Sequence, residues 1–466
     1  MTDHAECGSI KKCLTSATAG SADADELKMQ RFLRWMEEQG ATFPAMTIKV
    51  GQGSRQVHAT RSLLPGELVL HIPRKLMITT EVAKASAIGK LIATHGGDFT
   101  DHDYLVAYLL QIKREGGFWK PYIDILPTDY SHIAAHFSES EMACLEGSYI
   151  TGVVRTRRKQ EDDSYNALAA CLKESWFTRE DFAWGYSIVK SRVYSVVLGG
   201  KESRAMVPLA DMFDHNPDKS LRWIKASDTG FIVTARESVE QGAALFESYG
   251  VRCNARLLNV YGFCVDFNPE NHAEIFLRPV SPDHPFFEHT KNLGTESGAM
   301  RAFRMPGIYH RELTYELFSR LRLGCLIGPP GSQHPAVEVG KSPRVKAISR
   351  ANEIAALTEL VAACERAMRL FRTTIEEDEA LLKDESLSRN LRNAVTVRHG
   401  EKVVLKYFLD LAATALPVLG NPSSILSEYA AEGKRFALYF ADVDEGLRER
   451  AKADETGAAS VGNVLA

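Results

Sequence analysis

The chain has no pair of cysteines at a metal or redox spacing. Its eight cysteines stand apart at Cys7, Cys13, Cys144, Cys171, Cys253, Cys264, Cys325 and Cys364, and no two form C-x-x-C or C-x-C. That excludes a zinc cluster or a disulfide framework as the organising device and fits a reducing compartment. There is also no excess of one charge: 56 Lys+Arg against 60 Asp+Glu leave a net charge of −4. No global field therefore favours nucleic acid or an anionic membrane. No uninterrupted apolar run reaches the roughly 18 residues of a membrane span. The N-terminal stretch holds Asp3, Glu6, Asp23 and Asp25 and lacks an apolar core, so neither a secretory signal nor a transit peptide is expected. No internal repeat is visible.

With 466 residues, 45% of them apolar, the chain is long enough for two or three domains with sizeable cores. Residues 1–24 are small and polar, and disorder is expected there. A helix is predicted from Glu26 to Gln39, where Phe32, Trp35 and Met36 share a face and Gly40 stops it. Next, MTIKV, QVHAT and ELVLHIP read as a β-meander with turns at GQGS and LLPG. Residues 81–115 read as helical and 128–190 as several short helices, one capped by Thr178. A strand-rich block follows to about residue 280. Phe231–Val233 and Ala244–Phe246 are its clearest strands, joined by a Glu-Gln-Gly turn. Beyond about residue 300 the periods become helical, at 311–323, 347–382 and 391–415. The acidic run Glu376–Glu379 reads as a solvated helix face. The tail from Ala451 is expected to be disordered. Strands split by a helical insert, then an all-helical half, give an α+β fold: a mainly-β catalytic domain followed by an α domain.

The most informative stretch runs from Arg204 to Phe263. It carries RAMVPLADMFDHNPDK, then ALFESYG, then VRCNARLLNVYGF. A Tyr hydroxyl at Tyr249 and an aromatic face at Tyr261 suit a reaction in which a cationic centre is held and a group transferred without a metal or a Cys nucleophile.

Six segments, in order, carry a family resemblance: QVHATRSLLPGELVLHIPRKLMIT, FWKPYIDILP, WGYSIVKSRVYS, MVPLADMFDH, FESYGVRCNARLLNVYGF and TTIEEDEALLKD. On these the chain resembles the SET-domain protein methyltransferases of the Rubisco large-subunit lysine methyltransferase and actin-histidine methyltransferase type. The resemblance implies a SET domain over 25–280 with a helical insert at about 81–190, then a helical substrate-binding domain over 281–450 and a tail over 451–466. It implies S-adenosylmethionine as cofactor and a protein as substrate, non-histone by expectation. A monomer acting in the cytoplasm, with the nucleus as alternative, is the matching expectation.

The same resemblance implies residue roles. Tyr249 matches the catalytic tyrosine, and Tyr261 and Phe263 match positions flanking cofactor and target side chain. Arg192 matches the arginine that meets the cofactor's carboxylate, for which a bidentate guanidinium is suited. Asp211, Asp214 and His215 fall in the cofactor-binding segment, with Asp214 where the family shows Asn. An ionised Asp accepts hydrogen bonds but donates none. Ser54 and Arg55 fall where the family shows a Gly-x-Gly loop, with Gly51 and Gly53 just upstream. Tyr194 and Ala210 stand where histidine-modifying relatives carry an amide and a Trp, so the pair favours lysine as acceptor. The alternatives are a histidine acceptor, or a degenerate SET scaffold that binds proteins without catalysis.

Overall fold

The structure, a computed structural model, describes residues 24–51, 54–172, 177–216, 221–227, 229–278, 301–305, 311–326 and 345–455. It is α+β. The chain divides into two compact units, one of Met1–Ser131 and Arg155–Val251, the other of His132–Val154 and Arg252–Ala466. The disorder expected for residues 1–23 and 456–466, and Cys7 and Cys13, lie outside the described residues.

In the first unit, helix 24–38 buries Phe32 and Met36, as its period requires. Strands Met46–Gly51 and Ser54–Ala59 pair antiparallel from Met46↔Ala59 to Gly51↔Ser54. The third strand, Leu68–Pro73, does not continue this hairpin. It pairs with Gly230–Ala235, which pairs with Leu221–Ser227, so the expected meander is instead a hairpin plus a separate three-stranded sheet. Alternation locks that register: Phe231, Val233 and Ala235 are buried on one face. Gly230 sits at φ +145, and a Cβ there would meet the Ile72 carbonyl oxygen at 2.1 Å, so only glycine fits the crossing.

A second sheet joins Ile78–Thr79, Lys201–Met206 and Val193–Leu198. The predicted strand Ala244–Phe246 is shorter and placed differently. Phe246–Glu247 pairs in parallel with Asp214–His215, not with the strand before it. The helical stretch 81–115 is three helices, Thr80–Ala85, Ala87–His95 and Asp101–Glu115, separated by caps at Ser86 and Thr100. Thr178 caps helix Arg179–Arg192 in a full capping box with Asp181, as its sequence predicts. Where short helices were expected, Ile150–Cys171 is one helix of 22 residues.

The second unit is mainly helical. The period at 347–382 is two helices, Arg350–Met368 and Ile375–Leu382, parted by a loop whose Thr374 caps the second. Helix Arg389–Gly420 contributes Val404, Leu405, Phe408 and Leu411 to a core shared with Leu317, Leu357, Leu360 and Phe440. By length and composition this helix could cross a membrane, with a window of mean hydropathy 1.6; a core helix meets the same criterion. Ala437–Glu455 continues helical past Ala451, where disorder was expected.

The acidic run Glu376–Glu379 is not uniformly solvated. Asp378 is fully buried, paired with Lys402 Nζ at 2.8 Å and Arg398 at 2.7 Å. Lys402 also donates to the carbonyls of Thr373 and Thr374, so its three donors are used. Removing one partner of such a pair strands a buried charge, at a cost of about 3–5 kcal/mol. Asp378→Ala is therefore expected to destabilise the second unit by about that amount, read as a lower urea midpoint with an unchanged slope.

Candidate active site

Seven of the residues singled out from sequence fall in the first unit around one short turn. Strand Lys201–Met206 ends in Val207-Pro208-Leu209, and Leu209 adopts φ 74, ψ −42. A buried, γ-branched residue at positive φ is strained, on the order of 1–3 kcal/mol. The strain redirects the chain into the 3-10 turn Ala210–Met212 and then into Asp214–His215. The Ala210 carbonyl, the Asp211 side chain and the Phe213 carbonyl are all engaged by the cluster that surrounds this turn.

Arg192, the last residue of its helix, anchors the cluster. It donates from NH1 to the Asp211 carbonyl at 2.8 Å and pairs with Asp211 Oδ2 at 3.2 Å. Tyr122 donates to the same carboxylate at 2.6 Å. Burial alone would lower the Arg192 pKa, but Asp211 and the phenols of Tyr130 and Tyr122 outweigh it and hold the guanidinium charged. Burial, with Asp211 adding to it, pushes the Tyr122 phenol well above its ordinary value. Among the described residues, Arg192 Nε and Asp211 Oδ1 are buried without a hydrogen-bond partner. One open donor and one open acceptor suit the carboxylate and ammonium of an amino-acid moiety.

Tyr249 follows strand Phe246–Glu247. Its hydroxyl donates to the Phe213 carbonyl at 2.7 Å, its ring stacks on His215 at 5.2 Å, and its backbone N–H donates to His215 Nδ1 at 3.1 Å. That last bond needs a lone pair on Nδ1, so the imidazole is neutral. Burial lowers its pKa in agreement, against the opposing effect of the Glu247 backbone. Because the Tyr249 proton is committed to a carbonyl, the phenol oxygen presents lone pairs elsewhere. Asp214 is exposed as a residue, yet desolvation raises its carboxyl pKa and Arg192 only partly offsets this.

The Tyr194 hydroxyl lies 2.9 Å from the Ala210 carbonyl oxygen and 2.8 Å from Glu247 Oε1. Ala210 is fully buried and the Tyr194 ring packs on Phe231. Glu247 was not singled out from sequence. It is 5% exposed, and burial pushes its pKa up to about 8, with Tyr194 opposing and Asp211 adding to the rise. The available signal is a lone acid in the otherwise uncharged segment ALFESYG. Tyr122, within FWKPYIDILP, was also not singled out.

Two further positions behave differently. Strand Ser54–Ala59 carries Ser54 and Arg55, and the Arg55 guanidinium donates to the Ile125 carbonyl, which occupies it within the fold. Gly53 lies outside the described residues. Tyr261 and Phe263 belong to the second unit. Tyr261 ends a helix, Asn254–Tyr261, where a strand or loop was expected. Gly262 caps it at φ +77, and a Cβ there would meet His132 at 2.2 Å.

Residues 290–405 match the family model for the Rubisco LSMT substrate-binding domain. The chain is 27% identical over 407 residues to the actin-histidine N-methyltransferase of Mus musculus, covering 82% of this chain and 68% of that protein. It is also 27% identical over 419 residues to the chloroplastic [fructose-bisphosphate aldolase]-lysine N-methyltransferase of Arabidopsis thaliana, covering 85% of each. Its fold matches the crystal structure of the SET domain of LSMT bound to lysine and AdoHcy, with a TM-score of 0.68 and 23% identity over 84% of this chain and 92% of that one. The chain thus has the fold of the SET-domain protein methyltransferases with an LSMT-type substrate-binding domain. Its relatives divide between lysine and histidine acceptors at equal identity.

The Tyr122–Asp211 bond should be measurable by itself. Tyr122→Phe removes a donor to a buried carboxylate, so it is expected to cost about 1.5–3 kcal/mol in urea unfolding while leaving the far-ultraviolet spectrum unchanged.

Proposed function

We propose that the chain is an S-adenosylmethionine-dependent protein methyltransferase that modifies a lysine side chain. The observation that carries the transfer chemistry is the Tyr249 hydroxyl, fixed by its bond to the Phe213 carbonyl. Bound at this site, the cofactor would supply a methyl group activated on a sulfonium. The residues present fit it: Arg192 Nε is an open donor for its carboxylate and Asp211 Oδ1 an open acceptor for its ammonium. Asp214, in place of Asn, keeps the acceptor function that an ammonium or an adenine amino group calls for. The phenol oxygen of Tyr249 orients the attacking nitrogen, so alignment and a dry channel do the work.

Tyr194 and Ala210 support lysine. Ala210 is a small side chain where histidine-modifying relatives carry a Trp, and Tyr194 offers an aromatic ring with its hydroxyl turned to Ala210 and Glu247. An imidazole acceptor would need a hydrogen-bond partner that fixes its tautomer. The histidine reading rests on the equal identity to the actin-histidine enzyme. In the second unit, the LSMT-like helices are proposed to grip a folded, non-histone acceptor protein.

Cell extract incubated with methyl-labelled S-adenosylmethionine, then searched by mass spectrometry, should show methyl-lysine. Methyl-histidine alone would overturn the acceptor, and failure of the cofactor to bind in titration calorimetry would favour a non-catalytic scaffold. Tyr249→Phe should lower kcat by roughly 100-fold or more with cofactor affinity little changed. Unaltered transfer by that variant would remove Tyr249 from the chemistry.

A further inference from the structure

A lysine ammonium cannot attack until it loses a proton, and its ordinary pKa of about 10.4 leaves little free amine at neutral pH. Some group must take that proton. We propose that Glu247 is the acceptor, drawing the proton through the Tyr194 hydroxyl. The inference rests on the lysine reading above.

The geometry carries it. Tyr194 has one hydroxyl proton but two oxygens within hydrogen-bond distance, the Ala210 carbonyl at 2.9 Å and Glu247 Oε1 at 2.8 Å. Both contacts are satisfied together only when Glu247 is protonated: Oε1–H then donates to the phenol oxygen, and the phenol O–H donates to Ala210. When Glu247 is ionised, the phenol proton turns to Oε1. The pair therefore has two hydrogen-bond arrangements that differ by one proton, which is what a relay requires. Glu247 Oε2 is buried with no hydrogen-bond partner among the described residues, so Tyr194 is the side chain that engages the carboxyl, through Oε1. A buried acid that serves only the fold has both oxygens engaged, as Glu401 has through the Ser148 hydroxyl and the Tyr149 N–H.

The surrounding charges agree. Among the described side chains, Tyr194 and Asp211 are the titratable groups that act on Glu247. Asp214 and His215 flank it on the paired strand, and Tyr249 follows on its own. His215 is neutral and Arg192 is held by Asp211, so among the described residues no cation pairs with Glu247. Its elevated pKa, about 8, is poised for exchange near neutrality.

The step balances. The ammonium N–H bond breaks and its proton passes to the phenol oxygen. The phenol's own proton passes to Glu247 Oε1, leaving a neutral amine and a carboxylic acid. The lone pair so freed on the amine would form the new N–C bond to the methyl that a bound cofactor would supply, the pair of the broken C–S bond staying with the cofactor as a thioether.

The sign for pH follows. Glu247 accepts only when ionised, so the rate rises with pH through about 8. The test uses the full chain with labelled S-adenosylmethionine and free L-lysine, the ligand held by the LSMT SET domain. Glu247→Gln keeps an oxygen acceptor for Tyr194 but cannot take a proton. Its kcat should fall by roughly 100-fold near pH 8. Its rising limb should move up toward the amine's own pKa of about 10.4, with cofactor affinity within twofold by calorimetry. Tyr194→Phe, which breaks the relay but keeps the acid, should shift the limb the same way. Infrared difference spectra of unliganded wild type against Glu247→Gln should show a carboxylic acid band that fades as pH rises through about 8. An unshifted limb with kcat within twofold, or no such band, would overturn the role of Glu247. A wild type that methylates free histidine but not free lysine would instead overturn the lysine reading, and this step with it.

Discussion

One buried guanidinium serves a cluster of three carboxyl groups. Arg192 gives Asp211 both an ion pair and a hydrogen bond to its backbone, and Tyr122 adds a donor to the same carboxylate. Among the described residues that leaves no cation for Glu247, and Arg192 only partly compensates Asp214. In a medium of low dielectric, such groups raise their pKa rather than hold charge. The cluster is therefore short of positive charge by design of its packing. Ligands that arrive with positive charge, such as a sulfonium, an α-ammonium or a lysine ammonium, would be favoured by that imbalance. The Arg192–Asp211 pair is the fixed point: without it Arg192 would be the uncompensated group, and the preference would reverse.

The fixed point depends on a strained backbone. Leu209 at φ 74 begins a turn that brings Ala210, Asp211 and Phe213 to Tyr194, Arg192 and Tyr249 respectively. A relaxed, extended residue at that position would carry the chain onward as a strand, and consecutive side chains would alternate between faces. The cost, on the order of 1–3 kcal/mol, is offset by complete burial of the Leu209 side chain, a term of similar size. The short parallel pairing of Asp214–His215 with Phe246–Glu247 then locks Tyr249 beside His215.

Much of this was legible in the residues, because the segments that form the site are local. MVPLADMFDH and FESYG each contribute contiguous groups, and Tyr249, Arg192, Asp211, Tyr194, Ala210 and His215 are all legible as site candidates in the sequence. The helix caps at Thr178 and the period of Arg389–Gly420 were equally readable, since both follow short-range rules. What escaped was set by long-range pairing. Nothing in ELVLHIP says that it pairs with a strand some 160 positions on, instead of the adjacent hairpin. Nothing in FESYG says that Glu247 points inward, because a two-residue strand gives no alternation to read. The positive φ of Leu209 has no glycine or asparagine to announce it. Asp378 in its acidic run was misjudged for the same reason: the cations that bury it, Arg398 and Lys402, lie on another helix.

The second unit supplies the contrast that gives the first its meaning. There, Asp378 is met by two cations, and Arg322 by the two carboxylates of Glu353 and Asp442. Those clusters still pair every buried ion with at least one opposite charge, as expected where polar groups serve only the fold. In the first unit the same chain buries Glu247 against a phenol and leaves one of its oxygens without a partner among the described residues. Glu401 of the second unit is also buried without a cation among the described residues, but both of its oxygens are taken, one by the Ser148 hydroxyl and the other by the Tyr149 N–H. What sets Glu247 apart is the open oxygen beside the Tyr194 contact, which a proton-relay step requires and the fold does not.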